Sequence, residues 1–233
     1  MKQFSNRYIF IFSAIMVIAV AVLLSLAATL LQPAQARNLE IEKKKNMLES
    51  INVPTTRENT EELYNKYIKE SFVINSNGEP VNGVDAFTVV LKNEQKKPLE
   101  EQSLPVFRAA PDDGEKVIII PVEGKGLWGP IYGYISLKSD MNTIYGVNFD
   151  HKGETPGLGA EINTSAFESQ FPGKKLFENE MFVSVQVIKG GTPKDNIHGV
   201  DAISGGTVTS KGLQKMLLDC IQKYNDYLLK NRI

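Results

Sequence analysis

From Tyr8 to Leu31 the chain reads YIFIFSAIMVIAVAVLLSLAATLL, without one charged residue. A helix needs about 20 such residues to cross a bilayer. Tyr8, Phe10 and Phe12 crowd the N-terminal end of the stretch, where an interfacial belt lies. Lys2 and Arg7 precede it and no acid offsets them, so the positive-inside rule puts the N-terminus in the cytoplasm. Arg37 and Lys43–Lys45 follow on the far side and weaken that bias; Glu40 and Glu42 count for little in this rule. Ala34-Gln35-Ala36 resembles a signal-peptidase site. A signal peptide's apolar region is about 7–15 residues, however, and this one is longer. The expectation is a retained transmembrane anchor over residues 1–36 and an exported domain over 37–233.

The rest of the chain narrows the chemistry by what it lacks. Cys220 is the only cysteine, so an internal disulfide and any cysteine-clustered zinc or iron–sulfur site are excluded. His151 and His198 are the only histidines, which argues against a histidine-built metal site. Redox chemistry, if present, has to come from an organic cofactor. The formal net charge is −1, and no basic patch marks a nucleic-acid binder. The expected partners therefore include the membrane and exclude nucleic acid.

Local patterns place the elements. Asn38–Ile51 is expected to be helical until Val53-Pro54 breaks it. Asn59-Thr60-Glu61-Glu62 looks like a capped helix start, continued by ELYNKYIKE. Asn77-Gly78 between β-prone runs in Ser71–Val84 signals a hairpin. Residues 86–91, 116–122, 131–137, 143–149 and 181–188 read as strands. Ser165-Ala166-Phe167-Glu168 has capping-box spacing and is expected to open a short helix. Over Lys211–Lys230, Leu213, Met216, Leu217, Cys220, Ile221, Tyr224 and Leu228 share one helical face. The expected class is α+β: a single N-terminal transmembrane helix, then one mainly antiparallel sheet domain with flanking helices.

One segment stands out before that last helix: Asp201-Ala202-Ile203-Ser204-Gly205-Gly206-Thr207-Val208-Thr209-Ser210. Two glycines let the backbone turn tightly and approach a bulky group. The helix start behind them suits a phosphate. By spacing alone the segment reads first as a Gly-rich turn with Thr209 or Ser210 as helix N-cap. It is neither a Walker loop nor a dinucleotide fingerprint.

DAISGGTVTS closely resembles the flavinylation segment of the FMN-binding domain family. That domain occurs in the C component of the sodium-translocating NADH:quinone oxidoreductase and in the G component of the Rnf electron-transport complex. The resemblance implies an FMN phosphate esterified to the threonine after S-G-A, here Thr207, with Ser204, Gly205 and Gly206 around it. Gly206 departs from the family's usual alanine; the change removes only a methyl, and modification is expected to persist. Asp201, Ser204 and Thr207 would form the recognition segment for a separate flavin transferase acting on FAD. ETPGLG, residues 154–159, resembles the family's flavin-contacting loop and assigns Glu154, Thr155, Gly157, Leu158 and Gly159 to cofactor binding. Thr155 is then expected to bond the ring edge, and Leu158 to pack on its face. GLWGPIYGY, from Gly126, resembles the family's GxWGP segment; Trp128 is expected either at the ring or as a core or rim aromatic. The order of anchor, WGP, ETPGLG and SGGT favours the plan of the sodium pump's C component over that of the Rnf protein.

The resemblance implies an electron relay in a sodium-pumping reductase, serving other subunits, including a flavin-bearing membrane subunit. The apolar span holds no carboxylate, so sodium movement would belong to the assembled complex. No independent active site is expected. Two other classes remain: a non-redox anchored interaction module, and a hydrolase using Ser204 or Ser210. The hydrolase lacks a G-x-S-x-G elbow. Whether Lys189 or Lys211 neutralises the phosphate is not legible in the sequence.

Overall fold

The computed structural model describes residues 5–193 and 195–232. Lys2 lies outside these residues. Helix α1 runs from Asn6 to Ser50 and contains Pro33. It is long and apolar enough to cross a membrane. The chain divides into two compact units after Lys43. The first is helical; the second holds everything from Lys44 onward and is described below.

Helix α2 (Thr60–Tyr67) leads directly into strand β1 (Ile68–Ile74). The helical pattern expected through Glu70 stops at Tyr67 because Ile68 and Glu70 pair with Ala109 and Arg108 across a bulge. β2 (Pro80–Val81) closes the expected hairpin, with Gly78 at φ +76 in its turn. Gly78 needs that freedom, and its missing side chain also lets the Tyr227 backbone approach. Residues 86–91 do not form the expected strand. They make a 3-10 turn (Ala86–Thr88), which the Asp85 side chain initiates by accepting from Phe87 N, and the start of α3 (Leu91–Glu94). β3 (Leu104–Ala109), β4 (Val117–Lys125), β5 (Pro130–Leu137) and β6 (Ile144–His151) complete a six-stranded sheet of order β2-β1-β3-β4-β5-β6. Every pairing in it is antiparallel.

α4 (Ser165–Glu168) forms where it is expected, but without a capping box: its N-cap is Thr164, no side chain caps it, and Glu168 is drawn to the neighbouring strand instead. The strand expected over 181–188 is two pieces, β8 (Met181–Phe182), which pairs with β7 (Phe177–Glu178), and β9 (Gln186–Ile188). Between them Ser184 turns to φ +59, and Val183 N and Ser184 N both donate to Leu176 O. β10 (Gly199–Asp201) pairs with β9 in parallel. α5 (Thr207–Ile221), a 3-10 turn and α6 (Asn225–Asn231) follow.

β4 explains the layering. Ile118 and Ile120 face a core shared with Leu213, Met216, Leu217 and Ile221 of α5. Ile119 faces the opposite core, with Met47, Leu48 and Ile51. A strand covered on both faces reads as a continuous apolar run rather than an alternating one, which is how VIII appears. Gly124 and Gly212 bring α5 onto the end of β4: a methyl on Gly212 would lie 2.4 Å from Lys125 O. Cys220 is a buried core residue on this face, as its helical position predicts.

α4 is tied to the edge strand by Glu168, whose Oε1 accepts from Phe149 N at 2.7 Å. Burial pushes this carboxyl up to about 7; the Phe149 amide opposes the rise, and Glu49 and Asp150 add to it. A raised carboxyl favours the folded state only while protonated. Its contribution is therefore full in acid and is lost as pH rises from the ordinary carboxylate value through about 7. Glu168→Gln keeps the acceptor and removes the charge. It is expected to gain on the order of 1 kcal/mol at pH 8, after discounting for partial exposure, and little at pH 4. Thermal melts at both pH values check this; the expected rise at pH 8 is about 2–4 °C.

Candidate functional site

Three segments far apart in sequence meet beside the N-terminus of α5. The first is Gly126-Leu127-Trp128-Gly129, which joins β4 to β5 and is closed by Gly126 N donating to Gly129 O at 2.8 Å. The second is the loop after β6. The third is the turn from β10 into α5.

Glu154 joins all three. It is buried, at 4% exposure. Its Oε1 accepts from Trp128 N at 2.8 Å, and its Oε2 from the Thr209 hydroxyl at 2.5 Å. Its own N–H donates to His151 Nδ1 at 3.3 Å. Burial pushes the Glu154 carboxyl up, but the hydrogen bonds from Thr209, Trp128 and Gly129 outweigh it. The carboxyl sits below its ordinary value. Two glycines make room for this carboxylate. A methyl on Gly126 would lie 2.6 Å from Oε1, and one on Gly159 would lie 2.5 Å from Oε2.

Around this buried centre the surface is apolar and open. Trp128 is 70% exposed and Leu158 is 42% exposed, and Leu127 and Val208 are exposed as well. Trp128 is thus a surface aromatic and not a core one. Leu158 lies over the glycine turn: a methyl on Gly205 would lie 2.5 Å from Leu158 Cδ2. Gly205 has φ +75, which L side chains rarely adopt. Thr155 and Gly157 are exposed. Thr155 O accepts from Leu158 N and Ala160 N, and Gly157 N donates to Glu161 Oε1, so this loop is ordered by its own backbone.

The hydroxyls of SGGTVTS divide into two kinds. Thr209 and Ser210 are buried and engaged, Thr209 with Glu154 and Ser210 by accepting from Ile203 N at 3.1 Å. Ser204 is exposed and Thr207 half-buried, and neither side chain has a hydrogen-bond partner among the described residues. The N-cap of α5 is Gly206, not Thr209 or Ser210, and no side chain caps it. The amides of the first turn are left for a ligand or solvent. Such a helix start favours an anion, and Thr207 is its first residue.

Asp201 closes β10. Its N–H donates to Gln170 Oε1, and its Oδ1 accepts from Thr192 N. Lys189 and Lys211 are exposed, Lys211 four residues after Thr207 on α5. His198 Nδ1 lies 2.7 Å from Lys175 O, so that ring nitrogen donates. Neither histidine bonds a serine among the described residues, so no serine–histidine pair supports a hydrolase. No cluster of metal-ligating side chains occurs among them either. Sequence reasoning missed the Thr209–Glu154 bond; the only local signal was a hydroxyl and an acid with small neighbours, Gly126 and Gly159.

The arrangement fits a flavin mononucleotide. An uncapped helix start suits the phosphate, an unpartnered hydroxyl stands at its first residue, and exposed apolar side chains suit the flat ring. The FMN-binding domain family matches residues 126–222, which contain all three segments. The C component of the Na(+)-translocating NADH-quinone reductase of Vibrio vulnificus is 32% identical over 210 residues, covering 83% of this chain and 82% of that protein. The Haemophilus ducreyi protein of the same name is 33% identical over 219 residues, covering 84% and 85%. Among solved structures, the same component from Parabacteroides distasonis is 45% identical, with a TM-score of 0.78, covering 85% of this chain and 96% of that one. NqrC from Shewanella oneidensis is 27% identical, with a TM-score of 0.71, covering 82% and 97%.

Proposed function

The chain belongs to the NqrC family, the C components of the Na(+)-translocating NADH-quinone reductases, and from that premise we propose that it carries FMN esterified through phosphate to Thr207 and relays electrons within that complex. One observation carries the covalent assignment. Thr207 is the hydroxyl that combines a helix start, accessibility and lack of a partner, while Thr209 and Ser210 are locked into the fold.

FMN bound there supplies one- and two-electron transfer. The chain's residues do the holding. First-turn amides of α5 face the phosphate position. Trp128, Leu127, Leu158 and Val208 offer apolar surface to the ring. Gly205 and Gly206 keep the turn open, and the Glu154 bonds fix the three segments in one geometry. The apolar rim is exposed, so an electron partner can approach without a conformational change.

The attachment itself is assigned to a flavin transferase acting on FAD, which reads Asp201, Ser204 and Thr207. Asp201 is exposed and Thr207 half-buried, and one oxygen of the Asp201 carboxylate accepts from Thr192 N. The electron donor and acceptor are assigned to other subunits of the reductase, the acceptor being a flavin-bearing membrane subunit. The charge pattern before the apolar span assigns the N-terminus to the cytoplasm and the second unit to the periplasm, with the chain in the inner membrane. In-gel fluorescence after denaturation tests the whole proposal. Protein co-expressed with a flavin transferase is expected to give a fluorescent band; a dark band would favour a non-redox interaction module.

Gly206 gains a physical account. A methyl there would lie 2.9 Å from Ile203 Cγ2 and 3.3 Å from the Leu158 carbonyl carbon. Ile203 thus fills the space that an alanine would use. Gly206→Ala is expected to cost about 1 kcal/mol, since Ile203 must shift and alanine is a poor N-cap. Covalent loading should persist, because the backbone at φ −98 is open to alanine. Intact-mass measurement and a thermal melt of the same sample check both parts.

A further inference from the structure

We infer that Glu154 is a positioning residue whose fixed negative charge lowers the reduction potential of the flavin held at Thr207, an inference that rests on the FMN assignment above. The hydrogen bonds call for an acceptor at both side-chain oxygens, and the charge that comes with a carboxylate acts on its surroundings as well. Trp128 N, Gly129 N and the Thr209 hydroxyl are neutral donors; a glutamine of the same shape would keep one acceptor oxygen, and the Thr209 hydroxyl would have to turn and accept from its amide. Burying a carboxylate costs more than burying an amide. No lysine or arginine forms an ion pair with Glu154 among the described residues. The chain therefore keeps a buried negative charge, balanced by neutral dipoles and the start of α5.

Its position gives the charge a consequence. Glu154 bonds the backbone of the exposed Trp128 on one side and the first turn of α5 on the other, two residues from Thr207. A group that accepts electrons between those elements gains negative charge next to a fixed one. The repulsion acts through protein rather than water and is correspondingly strong. Reduction is disfavoured, and the potential is set lower than a neutral residue would leave it.

Glu154→Gln isolates the charge. The side-chain oxygen still accepts from Trp128 N, and the new amide donates to Thr209 Oγ1. Thr209→Val isolates the geometry, since it removes a donor and leaves the carboxylate. Both variants are made in the full chain, loaded by a flavin transferase, and titrated with a reductant of known potential. Glu154→Gln is expected to favour reduction about tenfold, a rise of ~30 mV for a two-electron couple. Thr209→Val is expected to melt earlier and keep the wild-type potential. A loaded Glu154→Gln at or below the wild-type potential overturns the inference. So does a Glu154→Gln that folds but refuses flavin, or a Thr209→Val whose potential rises as far. If Glu154→Gln does not fold, Thr209→Val decides alone: a moved potential overturns the inference, and an unmoved one beside a lower melting temperature supports it. Absence of flavin from Thr207 of the wild-type chain removes the FMN assignment itself, whereas the outcomes above leave that assignment standing.

Discussion

Thr207→Ala is expected to abolish covalent flavin while leaving the fold intact. The substitution removes the one hydroxyl that stands free at the first residue of α5. That hydroxyl has no partner among the described residues, so its loss breaks no internal bond. Alanine is a better helix former than threonine, and stability should move by no more than about 0.5 kcal/mol. Intact-mass spectrometry after co-expression with a flavin transferase should show the unmodified mass, and in-gel fluorescence should vanish. Thr207→Ser keeps a hydroxyl and should retain some modification. Thr209→Ala supplies the opposite control. It strips a buried bond to Glu154 and should lose about 1.5–3 kcal/mol, yet keep the flavin. Retained flavin in Thr207→Ala would sink the assignment, and peptide mapping would then ask whether Ser204, the other free hydroxyl, carries it.

Gly159→Ala is expected to be the most damaging of the small substitutions at the site. A methyl there would lie 2.4 Å from Thr209 Oγ1 and 2.5 Å from Glu154 Oε2. Those two atoms are bonded to each other and buried, so neither can swing aside. The methyl must break their bond or push the loop away from α5. Overpacking costs about 1–3 kcal/mol, and a lost hydrogen bond to a charged group about 1.5–3, so roughly 3–5 kcal/mol together. For a domain of this size that is a fall in Tm of roughly 10 °C. Gly157→Ala provides the comparison. It faces open space and suffers only from its φ of +75, a cost of about 1 kcal/mol. Melting curves of the two variants decide between them. If Gly159→Ala melts no earlier than Gly157→Ala, Glu154 and Thr209 do not clamp the site.

Where sequence patterns mislead, tertiary pairing is the reason. β3 lies between β1 and β4, yet Leu104-Pro105 hides it, since proline usually argues against an interior strand. The apolar run from Ala86 looks like a strand but finds no sheet partner, and Asp85 turns it into a 3-10 start instead. The resemblance assigns Glu154 to cofactor binding as part of its loop. The structure places it under the surface with both oxygens bonded to protein, a fact that depends on Trp128 and Thr209, residues 26 and 55 positions away. Leu158 and Trp128, by contrast, are exposed on the surface.

The uncharged run from Tyr8 and the single cysteine determined by themselves that the described residues include a membrane-length helix and that no internal disulfide can form. These are matters of composition and length, which local order expresses without help. The short segments at Trp128, Glu154 and Thr207 are also local, and their resemblance to a flavin domain is readable one by one. What only the folded chain decided is which hydroxyl is free. Thr207 and Thr209 are near-identical by spacing. They differ because a carboxylate from a distant loop satisfies one and not the other, and a long-range bond of that kind leaves no periodic trace in the sequence.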